Sequence, residues 1–292
     1  MDHTVKRLPP WFRTSLSTTG RFASVVNRVR QNKLHTVCES ALCPNRNECW
    51  NAGTATFLIL GDRCTRRCRF CNVPQGQPAG IDGDEPARVA SAVEQLRLTY
   101  AVVTSVTRDD LPDGGARVFA DVIGAIRRSS RHCRVEVLVP DFQGSLASLE
   151  TVLNARPDVL NHNIETVPSL YPRVRPGADY ERSLLLLRRA AERGAATKTG
   201  LMLGLGEGID EVRTVLHDMR SAGCEILTLG QYLRPSVNHL PVERFYRPEE
   251  FAALRQEALT FGFFEVIAGP MVRSSYQAAR YGTELAAGER NL

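Results

Sequence analysis

The sequence predicts a parallel α/β fold made of six consecutive strand–helix units. Six short apolar runs are each followed by a segment with the 3.6-residue apolar periodicity of a helix. Strands and helices that alternate in this way form a parallel sheet with right-handed crossovers. The predicted strands are residues 56–60, 101–106, 134–139, 158–163, 197–203 and 225–230, and the predicted helices are residues 86–98, 115–129, 146–155, 180–193, 209–222 and 248–261.

Local signals mark the ends of several of these elements. Pro86 is placed as a first-turn residue of its helix, and Gly194 and Gly223 are typical helix stops. Polar residues gather directly after the strands, which suits either a barrel or an open doubly wound sheet. No Gly-x-Gly-x-x-Gly follows the first strand, which counts against a dinucleotide-binding fold. Gly204-x-Gly206-x-Gly208 has a different spacing and is interpreted as a tight turn.

Length and composition narrow the class of protein further. The 292 residues, 43% hydrophobic and 24% charged, fit one large globular domain or two small ones. No apolar run approaches the roughly 18 residues that a membrane span requires. The N-terminus has no apolar run either, so we expect no secretory signal and a cytoplasmic location.

The first 53 residues lack clear periodicity and predict an irregular extension with one helix near residues 21–33. Positions 1–50 contain eight Lys or Arg and three acidic residues, a net charge of +5, which equals that of the whole chain. One interpretation is a solvated basic surface. The other is a docking surface for an acidic partner, either protein or nucleic acid.

Three cysteines follow the first predicted strand in the spacing Cys64-x3-Cys68-x2-Cys71. Crowded cysteines in a chain without a secretory signal indicate metal ligands rather than disulfides. Three thiolates on one loop can hold three irons of a four-iron cluster and leave the fourth iron open to another ligand. A ferredoxin would fill all four positions, and a structural zinc site would need four closed ligands.

A second group of three, Cys38-x4-Cys43-x5-Cys49, lies upstream of the first strand. It predicts a second cluster site, with zinc as the alternative, and its fourth ligand must come from elsewhere in the chain. Cys133 and Cys224 stand alone at strand starts and are expected to be inert buried thiols.

The loop spacing, with Phe70 before Cys71, resembles the radical S-adenosylmethionine (radical SAM) superfamily. Longer blocks resemble one family within it, the lipoyl synthases, in family order over nearly the whole chain. They are Thr36-Val-Cys-Glu-Ser-Ala-Leu-Cys-Pro-Asn-Arg-Asn-Glu-Cys-Trp50, Gly61-Asp-Arg-Cys-Thr-Arg-Arg-Cys-Arg-Phe-Cys71, Thr104-Ser-Val-Thr-Arg-Asp-Asp-Leu-Pro-Asp-Gly-Gly115, Asn161-His-Asn-Ile-Glu-Thr166, Lys198-Thr-Gly-Leu-Met-Leu-Gly-Leu-Gly-Glu207 and Gly269-Pro-Met-Val-Arg-Ser-Ser-Tyr276.

The resemblance implies a partial six-unit TIM-type (β/α) barrel over residues 54–265. It is flanked by an N-terminal extension over residues 1–53 that carries the auxiliary-cluster cysteines, and by a C-terminal extension over residues 266–292. It also implies that Ser275 is the missing fourth ligand of the auxiliary 4Fe-4S cluster and is catalytic. Segment 269–276 must then meet residues 38–49, more than 220 positions away.

The implied reaction is the insertion of two sulfurs, at carbons 6 and 8, into an octanoyl chain bound to a lysine of a lipoyl carrier protein. The implied cofactors are two 4Fe-4S clusters and SAM, with the auxiliary cluster as the sulfur source. The implied partners are 2-oxoacid dehydrogenase E2 subunits, the glycine cleavage H protein, an electron donor and an iron–sulfur carrier. Neither a membrane nor a nucleic acid is expected.

Other polar residues near strand ends are predicted to line the SAM or substrate pocket, with polar packing inside the barrel as the alternative: Thr104, Ser105, Asn163, Glu165 and Lys198.

Two other functions also fit part of the pattern. A radical SAM methylthiotransferase acting on tRNA would suit the basic extension, although no C-terminal RNA-binding domain follows residue 280. An electron carrier would have fully ligated clusters and would not need six strand–helix units.

Overall fold

The computed structural model describes residues 8–12 and 19–280, and an eight-stranded sheet lies at its centre. The strands follow one another across the sheet in chain order; β1 is antiparallel to β2, and all later neighbours are parallel. They are β1 His35–Thr36, β2 Thr56–Ile59, β3 Tyr100–Ser105, β4 Arg134–Leu138, β5 Val159–Asn161, β6 Thr197–Leu203, β7 Ile226–Gln231 and β8 Glu265–Gly269. Strands β2 to β7 are the six predicted strands, and the partial barrel is confirmed.

Neither β1 nor β8 is predicted from the sequence. The apolar stretch of β8 is only Val266-Ile267-Ala268 before Gly269 and Pro270, too short to predict a strand on its own. The exposed edge of β7 supplies the partner, because Ile226 pairs with Glu265 and Gly230 with Gly269 in parallel register. The sheet therefore continues into the segment expected to be the C-terminal extension.

Six long helices connect the parallel strands and cover the outside of the barrel. In α5, residues 118, 119, 122, 123 and 126 are fully or almost fully buried, which is the i, i+3, i+4 pattern of an amphipathic helix. No helix of the described residues has the length and apolarity needed to cross a membrane. The helices are α1 Gly20–Gln31, α2 Val37–Ser40, α3 Arg46–Asn51, α4 Glu85–Gln95, α5 Ala116–Ser129, α6 Leu146–Asn154, α7 Tyr171–Val174, α8 Tyr180–Glu192, α9 Ile209–Ser221 and α10 Pro248–Thr260.

The N-terminal extension forms α1, the helix predicted near residues 21–33, followed by β1, α2 and α3. The rest of the predicted basic extension, residues 1–7 and 13–18, lies outside the described residues, as do residues 281–292 of the C-terminal extension. Phe12 is buried against the ring of Phe245, at a centroid distance of 5.7 Å. The extension therefore packs on the barrel.

A buried ion pair lies inside the barrel, where Lys198 Nζ is 2.9 Å from Glu136 Oε1 and each side chain is 1% exposed. Tyr100 donates a hydrogen bond to Glu136 Oε2 at 2.8 Å, and Asn161 donates to Glu136 Oε1 at 3.1 Å. Because a charge buried without partners is costly, these contacts keep both ions in the barrel interior. Lys198 thus takes the polar-packing role that was the alternative to a pocket role.

Replacing Lys198 with methionine is expected to lower the free energy of unfolding by about 3–5 kcal/mol, because the Glu136 carboxylate loses its buried cation. Urea denaturation measures this loss. Arg189→Met is the control, since it breaks an exposed pair with Glu192 and should cost no more than about 1 kcal/mol. Equal stabilities of Lys198→Met and wild type would contradict the buried pair.

After β8 the chain crosses the barrel and returns to the N-terminal extension. Val272 passes so close to β7 that a Cβ on Gly230 would overlap the Val272 carbonyl oxygen, so this position requires glycine. Further along, Ala278 is buried in a small cluster with Tyr100 and Val102. The chain is thus held against the partial barrel at Val272 and at Ala278.

Candidate active site

The loop after β2 carries the first three cysteines and is braced by its own backbone. Cys64 donates its amide to Pro74 O at 2.8 Å and accepts from the Gly76 amide at 3.0 Å. The Thr107 amide, in the loop after β3, points at Cys64 Sγ from 3.3 Å. We call residues 61–76 the cluster loop.

Arg66 anchors the cluster loop to the ends of two neighbouring strands. Its guanidinium makes a bidentate pair with Asp109 at 2.7 and 3.0 Å and also donates to Asp141. The Arg66 side chain is only 6% exposed. A bidentate, buried arginine fixes both position and orientation, so the thiols are preorganised.

The first cysteine trio, Cys64, Cys68 and Cys71, is partly buried within the cluster loop, and its members influence one another electrostatically. Burial, together with negative charge on Cys68 and Cys64, raises the pKa of Cys71 to about 12. Burial also raises the pKa of Cys68, although the nearby guanidinium of Arg175 opposes this. Cys68 and Cys71 therefore keep their protons at neutral pH until a metal displaces them.

The second cysteine trio, Cys38, Cys43 and Cys49, is held by the two short helices before β2. The Cys43 amide donates to Cys38 O at 3.1 Å, and the Cys49 amide donates to Asn45 O at 2.9 Å. Burial raises the pKa of all three thiols, that of Cys49 to about 12, where charge on Cys38 and Cys43 also contributes. The second trio is therefore also a cluster of buried, mutually interacting thiols.

The C-terminal segment reaches the second trio, as the sequence comparison with lipoyl synthases required. Asn45 donates its side-chain amide to Met271 O at 2.6 Å, across 226 positions of sequence. Tyr276 donates its hydroxyl to Glu48 Oε1 at 2.7 Å, across 228 positions. The contact between segment 269–276 and residues 38–49 is thus confirmed, and it places Ser275 between these two bonds.

A single cavity of about 460 Å³ opens between the two trios at the carboxyl ends of the strands. Four of the six trio cysteines are on its wall together with the C-terminal serine: Cys43, Cys64, Cys68, Cys71 and Ser275. Four of the five predicted pocket residues are also on the wall: Thr104, Ser105, Asn163 and Glu165. Cys38 and Cys49 are not on the wall but interact electrostatically with Cys43. Lys198 lies in the barrel interior, two residues before the wall residue Gly200.

Several buried polar atoms on the cavity wall have no hydrogen-bond partner within the described chain. They are Ser105 Oγ, Asn163 Oδ1, Arg175 Nε and His162 Nε2. Burial lowers the pKa of His162 to about 4, so its ring is neutral at pH 7. Since Val139 O can only accept, His162 Nδ1 carries the proton in their 2.8 Å bond and Nε2 is an acceptor. Such orphaned atoms in a concave wall indicate a polar ligand.

Charged side chains of both signs lie on the wall of the same cavity. Burial raises the pKa of Glu165, whereas Arg175 and then Arg273 oppose this rise from nearby positions. Asn163 also donates to Glu165 Oε1 at 3.0 Å. Arg175 interacts with Cys68 of the first trio, and Arg273 interacts with Cys43 of the second. Arg273 belongs to the Gly269–Tyr276 block that resembles the lipoyl synthases, whereas the sequence alone offers no signal for Arg175.

The donor set fits two iron–sulfur clusters, each with three cysteine thiolates. Within the described residues, no group of three His, Cys, Asp or Glu side chains is placed to hold a single metal ion. Zinc would need its ligands to converge on one point at about 2.0–2.3 Å, whereas each cysteine of a four-iron cluster binds a different iron. Cys133 and Cys224 lie elsewhere, buried in the hydrophobic cores.

This fold, with a cysteine loop after the first barrel strand, defines a radical SAM enzyme, and the radical SAM superfamily model matches residues 58–219. Solved structures agree on the fold: methylornithine synthase has a TM-score of 0.55 at 14% identity, covering 88% of this chain and 80% of that one. Streptococcus suis SuiB bound to S-adenosylmethionine also has a TM-score of 0.55, at 9% identity, covering 74% and 51%.

The chain belongs to the lipoyl synthase family. The model of the N-terminal domain of lipoyl synthase matches residues 2–43. A lipoyl synthase of Mycobacterium leprae is 52% identical over 99% of this chain and 91% of its own length. Those of Pelobacter propionicus and Koribacter versatilis are 54% and 55% identical over 95% and 92% of this chain, and over 89% and 90% of their own lengths.

Proposed function

We propose that this chain is a radical SAM sulfurtransferase that inserts two sulfurs, at carbons 6 and 8, into a protein-bound octanoyl-lysine to make the lipoyl cofactor. One observation carries the proposal: the whole first trio, Cys43 of the second trio and Ser275 line one cavity at the carboxyl ends of the strands. A substrate chain in that cavity would have a radical source on one side and a sulfur source on the other.

In this proposal Cys64, Cys68 and Cys71 hold the radical-generating cluster, and Cys38, Cys43, Cys49 and Ser275 hold the auxiliary one. When bound, SAM and the two clusters supply the radical chemistry and the sulfur that no side chain can provide. The hydroxyl of Ser275 is a harder and more weakly bound ligand for iron than a thiolate, which suits a position that must open during the reaction.

The chain's own groups bind and orient the reactants. Arg175 and Glu165 offer a buried cation and a carboxylate that can pair with the carboxylate and ammonium groups of an amino acid such as the methionine part of SAM. Ser105 and Asn163 offer their unpartnered oxygens to other polar atoms of the ligand. The apolar wall residues Leu58, Val106 and Leu201 exclude water from the acyl chain.

We propose the partners that this function requires. Octanoylated carrier proteins, namely 2-oxoacid dehydrogenase E2 subunits and the glycine cleavage H protein, would supply the substrate. An electron donor would reduce the first cluster, and an iron–sulfur carrier would rebuild the auxiliary one. All of this is proposed to take place in the cytoplasm.

An anaerobic assay with two alternative substrates tests the function. With reductant, SAM and an octanoyl-lysine peptide, we expect lipoyl product and two molecules of 5′-deoxyadenosine for each lipoyl group, one per sulfur inserted. Mass spectrometry of the peptide and chromatography of the nucleoside measure both. Sulfur incorporation into tRNA with an unmodified peptide would instead identify a methylthiotransferase.

A further inference from the structure

Two exposed apolar side chains flank the mouth of the cavity. Val237 is 73% exposed and Leu42 is 60% exposed, the two highest values among the large apolar side chains of residues 8–12 and 19–280. Leu42 is on the cavity wall. Val237 lies in the loop after β7, where its carbonyl accepts a hydrogen bond from Arg234, another wall residue.

Folding alone does not favour leucine at position 42. Its φ is +50°, in the left-handed region, where a non-glycine residue costs roughly 1–2 kcal/mol. Because the side chain is mostly exposed, burial in the folded chain offsets little of this cost. A strained, solvent-facing apolar residue beside a candidate active site indicates an intermolecular contact.

Hydrogen bonds join three loops into one continuous surface around this mouth. Asn72 of the cluster loop donates to Ser40 O at 3.0 Å, next to Leu42. On the other side, the Leu240 amide donates to Arg69 O at 3.3 Å. Arg234 Nε donates to His239 O at 2.9 Å, in the same loop. We call the exposed side chains of Leu42, Arg69, Arg234 and Val237 the mouth rim.

The mouth rim carries positive charge that the protein does not neutralise. Arg69 and Arg234 are both exposed, and neither forms an ion pair with any residue in the described ranges. Arg173 lies close by, since the carbonyl of its chain neighbour Val174 accepts a hydrogen bond from the Arg69 amide. Unlike the two rim arginines, Arg173 forms an ion pair, with Glu243 at 2.8 Å. The rim therefore combines two aliphatic side chains with two guanidinium groups that have no carboxylate partner in the described part of the chain.

We propose that the mouth rim is the docking site for an acidic carrier protein whose acylated lysine enters the cavity; this rests on the proposed function. The octanoyl-lysine occupies the cavity, so the rim side chains outside it are left to contact the carrier surface around that lysine. Guanidinium groups complement acidic side chains and speed association. Surfaces that bind single-stranded nucleic acid combine cations with aromatic stacking platforms, whereas the apolar members of this rim are aliphatic.

The experiment compares the rim variant Val237→Asp, which places a carboxylate beside Arg234, with the control Leu185→Asp. Leu185 is 38% exposed on α8. Fluorescence anisotropy with octanoylated glycine cleavage H protein measures Kd on the cluster-loaded enzyme. The anaerobic assay measures KM for that protein and for a short octanoyl-lysine peptide.

For the rim variant we expect the Kd and KM of the carrier to rise about tenfold or more, while the KM of the peptide stays within about twofold of wild type. The control variant should match wild type in all three constants. An unchanged carrier Kd in the rim variant would overturn the proposal, as would tRNA displacing the carrier from wild type. Failure of wild type to form lipoyl peptide would refute the proposed function. The carrier Kd would still test whether the mouth rim is the docking site.

Discussion

Replacing Cys68 with alanine is expected to abolish the cleavage of SAM, even with a strong chemical reductant. Cys68 is the middle residue of the first trio and is on the cavity wall with Cys64 and Cys71. The two cysteines outside the trios cannot replace it, because Cys133 is 3% exposed in one hydrophobic core and Cys224 is fully buried in another. The formation of 5′-deoxyadenosine measures the effect, and lipoyl formation should be lost with it.

Cys49→Ala is the matched control for this variant. It removes a thiol of similar burial from the second trio, which is proposed to serve sulfur insertion only. We expect 5′-deoxyadenosine to be formed at a rate close to wild type and lipoyl product to be absent. Formation of 5′-deoxyadenosine by Cys68→Ala at the wild-type rate would refute the assignment of the first trio. Loss of SAM cleavage in both variants would show that the trios do not divide the chemistry in this way.

The second large effect is expected at Ser275. Ser275→Ala should assemble the auxiliary cluster and lose lipoyl formation, because one iron is no longer closed by a ligand in the resting enzyme. Ser275→Cys should hold the cluster more tightly and turn over poorly, because a thiolate is a softer ligand that leaves iron less readily. Iron and sulfide content measures assembly, and single-turnover lipoyl formation measures activity.

Ser274→Ala keeps the Ser275 hydroxyl and is the neighbouring control, expected to retain lipoyl formation. Full activity of Ser275→Ala would contradict the proposed ligand. So would an experimental structure of the cluster-loaded protein with the Ser275 oxygen beyond bonding distance of every iron. The two outcomes are independent, since one reports on turnover and the other on the resting state.

The sheet could largely be predicted from the sequence, because its strands and helices carry local signals. The six strand–helix units follow from alternating apolar patterns, and the helix stops at Gly194 and Gly223 are confirmed by their left-handed φ angles of +77° and +89°. β8 could not be predicted in this way. Its three apolar residues become a strand only because the edge of β7 is available to pair with them.

The site was only partly predictable, for a related reason. Each trio is close in sequence, so spacing alone indicated its chemistry. The meeting of the second trio with the C-terminal segment depends on contacts across more than 220 residues, which a local pattern does not contain; the resemblance to a family indicated it. Arg175 became visible only in three dimensions, where its Nη1 donates to Asn163 O and Ile164 O, both at 3.0 Å.

The hydrogen bonds between residues 45–48 and 271–276 can form only late in the synthesis of the chain. The ribosome adds about 5–20 residues per second, so the second trio is synthesised roughly 10–45 s before its C-terminal partners. During that interval its thiols have no segment over them and are open to oxidation or to the wrong metal. A chain that terminates before Met271 never forms the contact between these two segments. Completion of the auxiliary site therefore records that translation has passed residue 276, and an iron–sulfur carrier that requires this contact would load only molecules that contain the C-terminal segment.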